Sequence, residues 1–417
     1  MKKMIKCRNI ILLLTMLGFT GNMRAEDVVQ VKPFTTTAGI SIDDEETFSM
    51  EMVNTNAYTA LEFRLFLPEG MALDMDYPFD MNADRFPGMF KKGVFFPNHD
   101  YDITNPTPGQ YYVKIYNTSL ETIGGTEGEI LSFYYQTAAD MKPGIYPIRV
   151  TGTVLAIDSH NGVEPASSVS FVTITDAEGN IPANALLDLG NDEIPSFVAS
   201  ELPDKNVIIN GVCNNLVLTD GADFCANTAF TTMQASFVTN VSTYRTVTIP
   251  FEAAVPEGFT ASNAVSVTGT TINLESTTSI SANRPVLIEG KGQLVLTSSD
   301  AAIAATNEAE LSNGLLCGTY KTTPATEGSY VLQNQNGVTG FYHVEGVQPT
   351  IGAFRAYLNV SDSDVKMYTF CDENATGISL PSTFSEGEKT PIYNLVGQQI
   401  TKPIKGIYIK NRKKFLF

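Results

Sequence analysis

Leu61-Glu62-Phe63-Arg64-Leu65-Phe66-Leu67-Pro68 is the stretch that decides the fold class. Leu61, Phe63, Leu65 and Leu67 fall on one side of an extended chain, with Glu62 and Arg64 on the other. Period-two alternation of this kind marks a half-buried strand, because successive side chains of a strand point to opposite faces. Similar runs follow at Gln110 to Tyr116, Glu129 to Tyr135, Ile145 to Val150 and Ser168 to Ile174. Gly124-Gly125, Lys142-Pro143-Gly144 and Asn161-Gly162 punctuate them. Short strands at this spacing predict a β-sandwich over residues 26–176. No amphipathic helix of three or more turns is evident.

The pattern then breaks into Asp-, Gly-, Asn- and Pro-containing pieces over 177–206, which read as a linker. Strand-like runs resume over 207–372: Val207 to Ile209, Leu216 to Leu218, Thr246 to Phe251, Pro285 to Glu289, Gln293 to Leu296, Tyr330 to Leu332, Gly340 to Val344 and Phe354 to Leu358. Asn336-Gly337 between two of them predicts a tight hairpin, since both residues tolerate positive φ. A second all-β domain is expected there. No fixed-period repeat occurs, which disfavours propellers and solenoids. A polar linker, 373–390, leads to a basic module, 391–417. The last sixteen residues of that module carry Lys402, Lys405, Lys410, Arg412, Lys413 and Lys414 and no acidic residue. It reads as two short strands joined near Lys402-Pro403. The fold class is all-β throughout.

The chain opens with Lys2, Lys3, Lys6 and Arg8, an apolar run from Ile10 to Leu17, and Asn22-Met23-Arg24-Ala25 before an acidic stretch. That is the layout of a secretory signal over 1–25, cleaved between Ala25 and Glu26. The run is shorter than the about 20 residues that span a bilayer, so no membrane-spanning segment is expected. Cys7 precedes the apolar core, which argues against a lipid-modified cysteine. Cleavage removes five of the 27 basic residues and none of the 45 acidic ones, leaving a net charge of −23. Such a chain repels nucleic acid and anionic membranes. Cys213, Cys225, Cys317 and Cys371 remain, with pairing or free thiols both open; there is no Cys-x-x-Cys pair.

Sites of chemistry are mostly excluded. The three histidines, His99, His160 and His343, are widely spaced and lack a His-Glu-x-x-His context. Neither a Gly-x-Ser-x-Gly elbow nor a P-loop occurs. Glu62 and Glu129 read as surface residues on polar strand faces. With 45 acidic residues, some pair will meet the roughly 5 to 9 Å separation of a glycosidase by chance, so acidity alone says nothing. No catalytic residue is named. Asp80-x-Asn82-x-Asp84, preceded by Asp74 and Asp76, copies the opening of a calcium loop. Arg85 stands where such a loop requires glycine and Lys91 where it requires glutamate, so EF-hand and dockerin loops fail. An irregular structural calcium site at Asp80, Asn82 and Asp84 and a solvated acidic loop both stay open; no other cofactor is expected. Tryptophan is absent, but Tyr112 and Tyr116, with Lys114 between them, are in phase on one strand face and form a candidate sugar-stacking platform.

Two stretches resemble known families. The tail, with Tyr393-Asn394, Gly397-Gln398, Lys405-Gly406 and Tyr408, is similar to the C-terminal sorting domains of Bacteroidetes proteins. That resemblance implies recognition by the type IX machinery during outer-membrane export. Tyr58-Thr59-Ala60-Leu61-Glu62-Phe63, Leu67-Pro68-Glu69-Gly70-Met71 and Glu127-Gly128-Glu129-Ile130-Leu131-Ser132-Phe133 resemble the cohesin and carbohydrate-binding-module superfold. This implies a jelly-roll-like sandwich that binds a protein module or a glycan. The region 207–372 is similar to β-domains of unknown function in surface proteins of the same bacteria. The expectation is therefore a non-catalytic protein at the cell surface or secreted after Sec-dependent export, with the periplasm as the other destination. Its partner would be a glycan or a cell-surface protein. The alternatives are a structural or adhesive subunit acting by protein contacts and a divergent glycan-active enzyme.

Overall fold

The computed structural model describes residues 27–158, 160–360 and 365–371, with the strand backbones of 392–394, 399–400, 407–410 and 413–416. The chain divides into two compact units, Met1–Cys371 and Asp372–Phe417. The segments 1–25 and 373–390, and the Ala25–Glu26 bond, lie outside the described residues.

The first sandwich is built from β1 (Val28–Val31), β2 (Phe34–Thr37), β3 (Thr47–Val53), β4 (Ala60–Phe66), β5 (Met71–Leu73) and β6 (Phe79–Met81). There follow β7 (Gly88–Lys91), β8 (Val94–Pro97), β9 (Asp100–Thr107), β10 (Gln110–Tyr116), β11 (Glu129–Thr137), β12 (Gly144–Ala156), β13 (Gly162–Val163) and β14 (Ser168–Thr175). One sheet has the order β2-β14-β12-β4-β10-β9, with β13 on β12; the other has β1-β3-β11-β5, with β6 also on β11. On β4, Leu61, Phe63 and Leu65 are buried and Arg64 is exposed, as the alternation predicts. Between the sheets, Phe48 stacks on Phe133 at 5.3 Å, while Phe63 and Phe79 meet the Phe133 ring edge-on at 6.4 and 5.2 Å. Aromatic pairs in these geometries add to the area they bury. Against β4, the register of β12 shifts between Thr151 and Val154, where Gly152 takes a φ of +58°. A side chain at that position would strain the backbone, and the bulge bends the long strand around the core.

β14 is buried at every residue except Thr173. Val172 and Ile174 enter the sandwich core, while Val169 and Phe171 face outward into a second cluster with Leu187, Leu189 and Val198. The connecting stretch 177–206 is thus packed onto the sheet. Val169 donates its N–H to the Glu193 carbonyl at 3.1 Å and Arg149 pairs with Asp192 at 2.7 Å. The one α-helix among the described residues, Ser196–Ser200, lies in this stretch.

Beyond it, Leu187–Asp188, Val207–Ile209, Val212–Thr219, Phe230–Val241 and Gly292–Ile303 form a five-stranded sheet in that order. A ten-stranded sheet runs from Tyr244–Val247 at one end to Arg355–Leu358, Leu316–Thr319 and Ser312–Asn313 at the other. It curls until its two ends meet: the Thr246 hydroxyl donates to the Ala356 carbonyl at 3.1 Å and accepts the Ala356 N–H at 2.9 Å. Phe341, Leu358 and Tyr368 belong to one core and Phe237, Phe251 and Phe354 to another. Asn336 and Gly337, at φ +52° and +82°, close the hairpin between Tyr330–Gln335 and Val338–His343, as predicted.

The second unit is a four-stranded antiparallel sheet, Gln399–Ile400, Ile392–Asn394, Ile407–Lys410, Lys413–Leu416. Two strands were expected. Ile392 pairs with Ile400 within the expected first strand, and the basic Lys413–Leu416 run forms a fourth strand against Ile407–Lys410.

Phe133 touches three other rings in the first core. Phe133→Ala is expected to lower the unfolding free energy of that sandwich by about 3 to 5 kcal/mol. The exposed Val338→Ala should change the stability of its own region by no more than about 0.5 kcal/mol. Urea unfolding followed by tyrosine fluorescence measures both.

Candidate functional site

β10 presents Tyr112, Lys114 and Tyr116 on the outward face of the larger sheet, opposite Thr104, Asp102 and Asp100 of β9. The structure brings the three together as the pattern predicts. Tyr112 is nonetheless already engaged: its hydroxyl donates to Glu62, Lys114 pairs with the same carboxylate at 3.3 Å, and the Lys114 ammonium lies 5.0 Å from the Tyr112 ring centroid. The Arg64 guanidinium stands 5.8 Å from that ring. Burial, followed by the Glu62 hydrogen bond, pushes the Tyr112 phenol up. Beside it Arg64, Phe66, Thr104, Pro106 and Gln110 border a shallow depression of about 400 Å³. Tyr116, 37% exposed, is the open ring of the set.

The acidic stretch is organised from within. Asp80 accepts the hydroxyls of Tyr77 at 2.6 Å and Tyr134 at 2.8 Å. Asn82 caps the Asp84 N–H at 2.8 Å, and Asp74 accepts the N–H groups of Asp76 and Tyr77. Arg85, 5% exposed, turns inward and donates to the carbonyls of Gly124, Gly128 and Met52 and to the Asn54 side chain. Burial pulls its pKa down. A Cβ on Gly125, which has φ +68°, would press within 3.3 Å of the Arg85 side chain, so this pair of glycines lets the chain close over the guanidinium. The Asp80 and Asn82 side chains thus have defined local partners, and among the described residues there is no group of three or more His, Cys, Asp or Glu side chains that could hold a metal ion.

Of the remaining sequence candidates, Tyr393, Asn394 and Tyr408 lie on paired strands, with Asn394 opposite Tyr408. Gly397, Gln398, Lys405 and Gly406 lie outside the described residues. Cys213, Cys225 and Cys317 are free thiols, those of Cys213 and Cys317 pushed up by burial; the Cys371 side chain lies outside the described residues.

The feature not read from the sequence is the β7–β8 ribbon. It forms a two-stranded sheet of its own, turning at Lys92 (φ +53°) and Gly93 (φ +84°). Such a pair of positive φ values matches the twist of a two-residue hairpin. Phe95 packs on the sandwich core and meets Phe90 at 5.2 Å. In the register Met89 pairs with Phe96 and Lys91 with Val94, so these four share the other face. Met89 is 64% exposed, Val94 57% and Phe96 48%, with Phe90 at 69%. The signal was the Lys92-Gly93 dipeptide between Met89-Phe90 and Val94-Phe95-Phe96. Directly after it, β9 is the outer strand of the larger sheet and is exposed along nearly its whole length.

No family model and no curated protein matches the chain. Among solved structures it is similar to the cohesin of a CaDoc0917–CaCohA2 complex, at 14% identity and TM-score 0.27 over 36% of this chain and all of that one. It is also similar to a non-cellulosomal cohesin from Archaeoglobus fulgidus (14% identity, TM-score 0.26, 37% of this chain and 94% of that one). A cohesin module of a family 33 glycoside hydrolase from Clostridium perfringens gives 8% identity and TM-score 0.23, over 36% of this chain and 97% of that one. At these scores the overlap carries no functional argument.

The hydrogen bonds to Asp80 hold the Tyr77 and Tyr134 phenols at about 12. Asp80→Asn should return both toward the ordinary value near 10, read by NMR of ring-labelled tyrosine. Because the folded values are raised, the stability they contribute is complete below pH 10 and is lost between about 10 and 12 as the phenols ionise. The variant should lack that alkaline loss.

Proposed function

We propose that this chain is a non-catalytic, exported protein of the cell surface or medium that binds a protein partner through the β7–β8 ribbon and the adjoining β9 edge. The observation that carries the proposal is the ribbon's open apolar face, formed by Met89, Val94 and Phe96. Contiguous apolar surface held on a defined hairpin marks an interaction site, whereas single exposed apolar residues do not. Lys91 and Lys92 at its tip are basic in a chain of net charge −18. The partner is therefore a protein presenting an apolar cleft with an acidic rim. The unpaired edge of β9 offers backbone groups for an added strand, while Asp100 and Asp102 on it discourage indiscriminate pairing. Export rests on the basic-then-apolar leader and the Ala25–Glu26 junction, and delivery to the outer surface on the tail resemblance; both are sequence arguments.

A glycan role would fall to Tyr116 and the depression beside Tyr112 on the same sandwich. The two readings separate experimentally. A photoreactive benzoyl-phenylalanine at position 94, on the same face as Met89 and Phe96, in producing cells should give one discrete protein adduct, lost when Met89 and Phe96 are changed to serine. Adducts with lipid or with this chain alone, or none, would overturn the proposal. Selective glycan-array binding that survives those serine changes and disappears in Tyr116→Ala would establish the sugar-binding alternative.

A further inference from the structure

Arg245 and Arg355 approach one carboxylate at the junction of the two sheets of the second region. Asp220, just beyond the strand Val212–Thr219, receives Arg245 Nη2 on Oδ2 at 2.9 Å and Arg355 Nη2 on Oδ1. Thr239 Oγ1 adds a third bond at 2.5 Å, so both carboxylate oxygens are taken. Arg245 Nη1 donates to the Asn240 carbonyl at 2.9 Å and Arg355 Nη1 to the Phe354 carbonyl at 3.2 Å. Arg245 Nε is sealed from solvent and has no acceptor. Two permanent cations thus share one anion, at a place where burial weakens solvent screening. Burial and then the charge of Arg245 lower the pKa of Arg355, and Asp220 opposes both. Glu289, the nearby acid on the neighbouring strand, pairs in register with Tyr244 and so lies on the face opposite Arg245.

Both arginines border a cleft of about 350 Å³ whose rim also carries Thr243, Gln333, Asn334 and Thr350. That volume lies at the small end of ligand sites, about 300 Å³ and upward. The surplus cation and the bordering cleft coincide. We infer that this cleft binds the carboxylate of a small ligand across Arg245 and Arg355, with hydroxyl- or amide-bearing substituents against the Thr243 and Gln333 rim. A planar guanidinium fork suits a carboxylate, and both guanidiniums border the cleft. The net charge of −18 keeps extended polyanions away, so the ligand is small. A sugar acid and a free amino-acid carboxylate share this chemistry.

The test is an NMR titration of the full chain, observing the Arg245 side-chain Nε–H. Glucuronate should shift this signal saturably and glucose should leave it unmoved. N-acetylglycine distinguishes the sources: equal affinity points to an amino-acid carboxylate, and weaker affinity than glucuronate to a sugar acid. Asp220→Asn, which frees both guanidiniums, should tighten binding, whereas Arg245→Gln should weaken it about tenfold or more. A purely structural ion triad predicts the opposite pattern, with both variants less stable and the wild-type signal indifferent to glucuronate; that result would overturn the inference.

Discussion

The strand Ser168–Thr175 is the constraint from which the larger unit is built, because it is buried on both faces. Its Val172 and Ile174 complete the first sandwich, and its Val169 and Phe171 provide the surface onto which Leu187, Leu189 and Val198 close. A strand of an antiparallel sandwich usually leaves one face in water. Here the second face is dry, and the chain leaving the sandwich is held to it by the Arg149–Asp192 pair and main-chain bonds to 193. Removing that contact would expose Phe171 and Val169 together, so the sandwich and the connecting stretch share one stability.

What the sequence disclosed follows from periodicity. β4, β10, β11 and β14 were readable because apolar and polar residues alternate along them, and the Asn336–Gly337 turn because two adjacent residues tolerate left-handed backbone. β9 was not, since Asp100 to Thr107 lies at an edge where neither face is buried and no pattern is required. The ribbon escaped for the converse reason: its apolar residues other than Phe95 are exposed to solvent, so they do not obey the rule that ties apolar residues to cores. Leu187–Asp188 was hidden by its shortness, two residues paired in parallel with Val207–Ile209.

Site residues were legible as places but not as roles. Tyr112, Lys114 and Tyr116 do share a face, yet only coordinates show that Tyr112 is committed to Glu62 and attended by cations. Arg85 illustrates the same gap. As a letter it merely spoils a calcium loop; as a side chain it is a fixed internal cation that gathers the carbonyls of Met52, Gly124 and Gly128. The pairing of Arg245 and Arg355, more than a hundred residues apart, depends on the curl of a sheet that no local pattern encodes.

The first two strands of the described chain carry a kinetic implication. β2 runs parallel to β14, and Ser168 hydroxyl bonds the Val29 carbonyl across a sequence separation of 139 residues. A chain emerging from synthesis can pair β1 with β3 early, but it holds β2 without a strand partner until the last strand of the sandwich has appeared. Closing so long a loop before its contacts reward it slows folding, to roughly milliseconds or seconds in β-rich domains of this kind. A polypeptide that cannot finish its first domain early stays extended for longer, which is the state the proposed export would require of it.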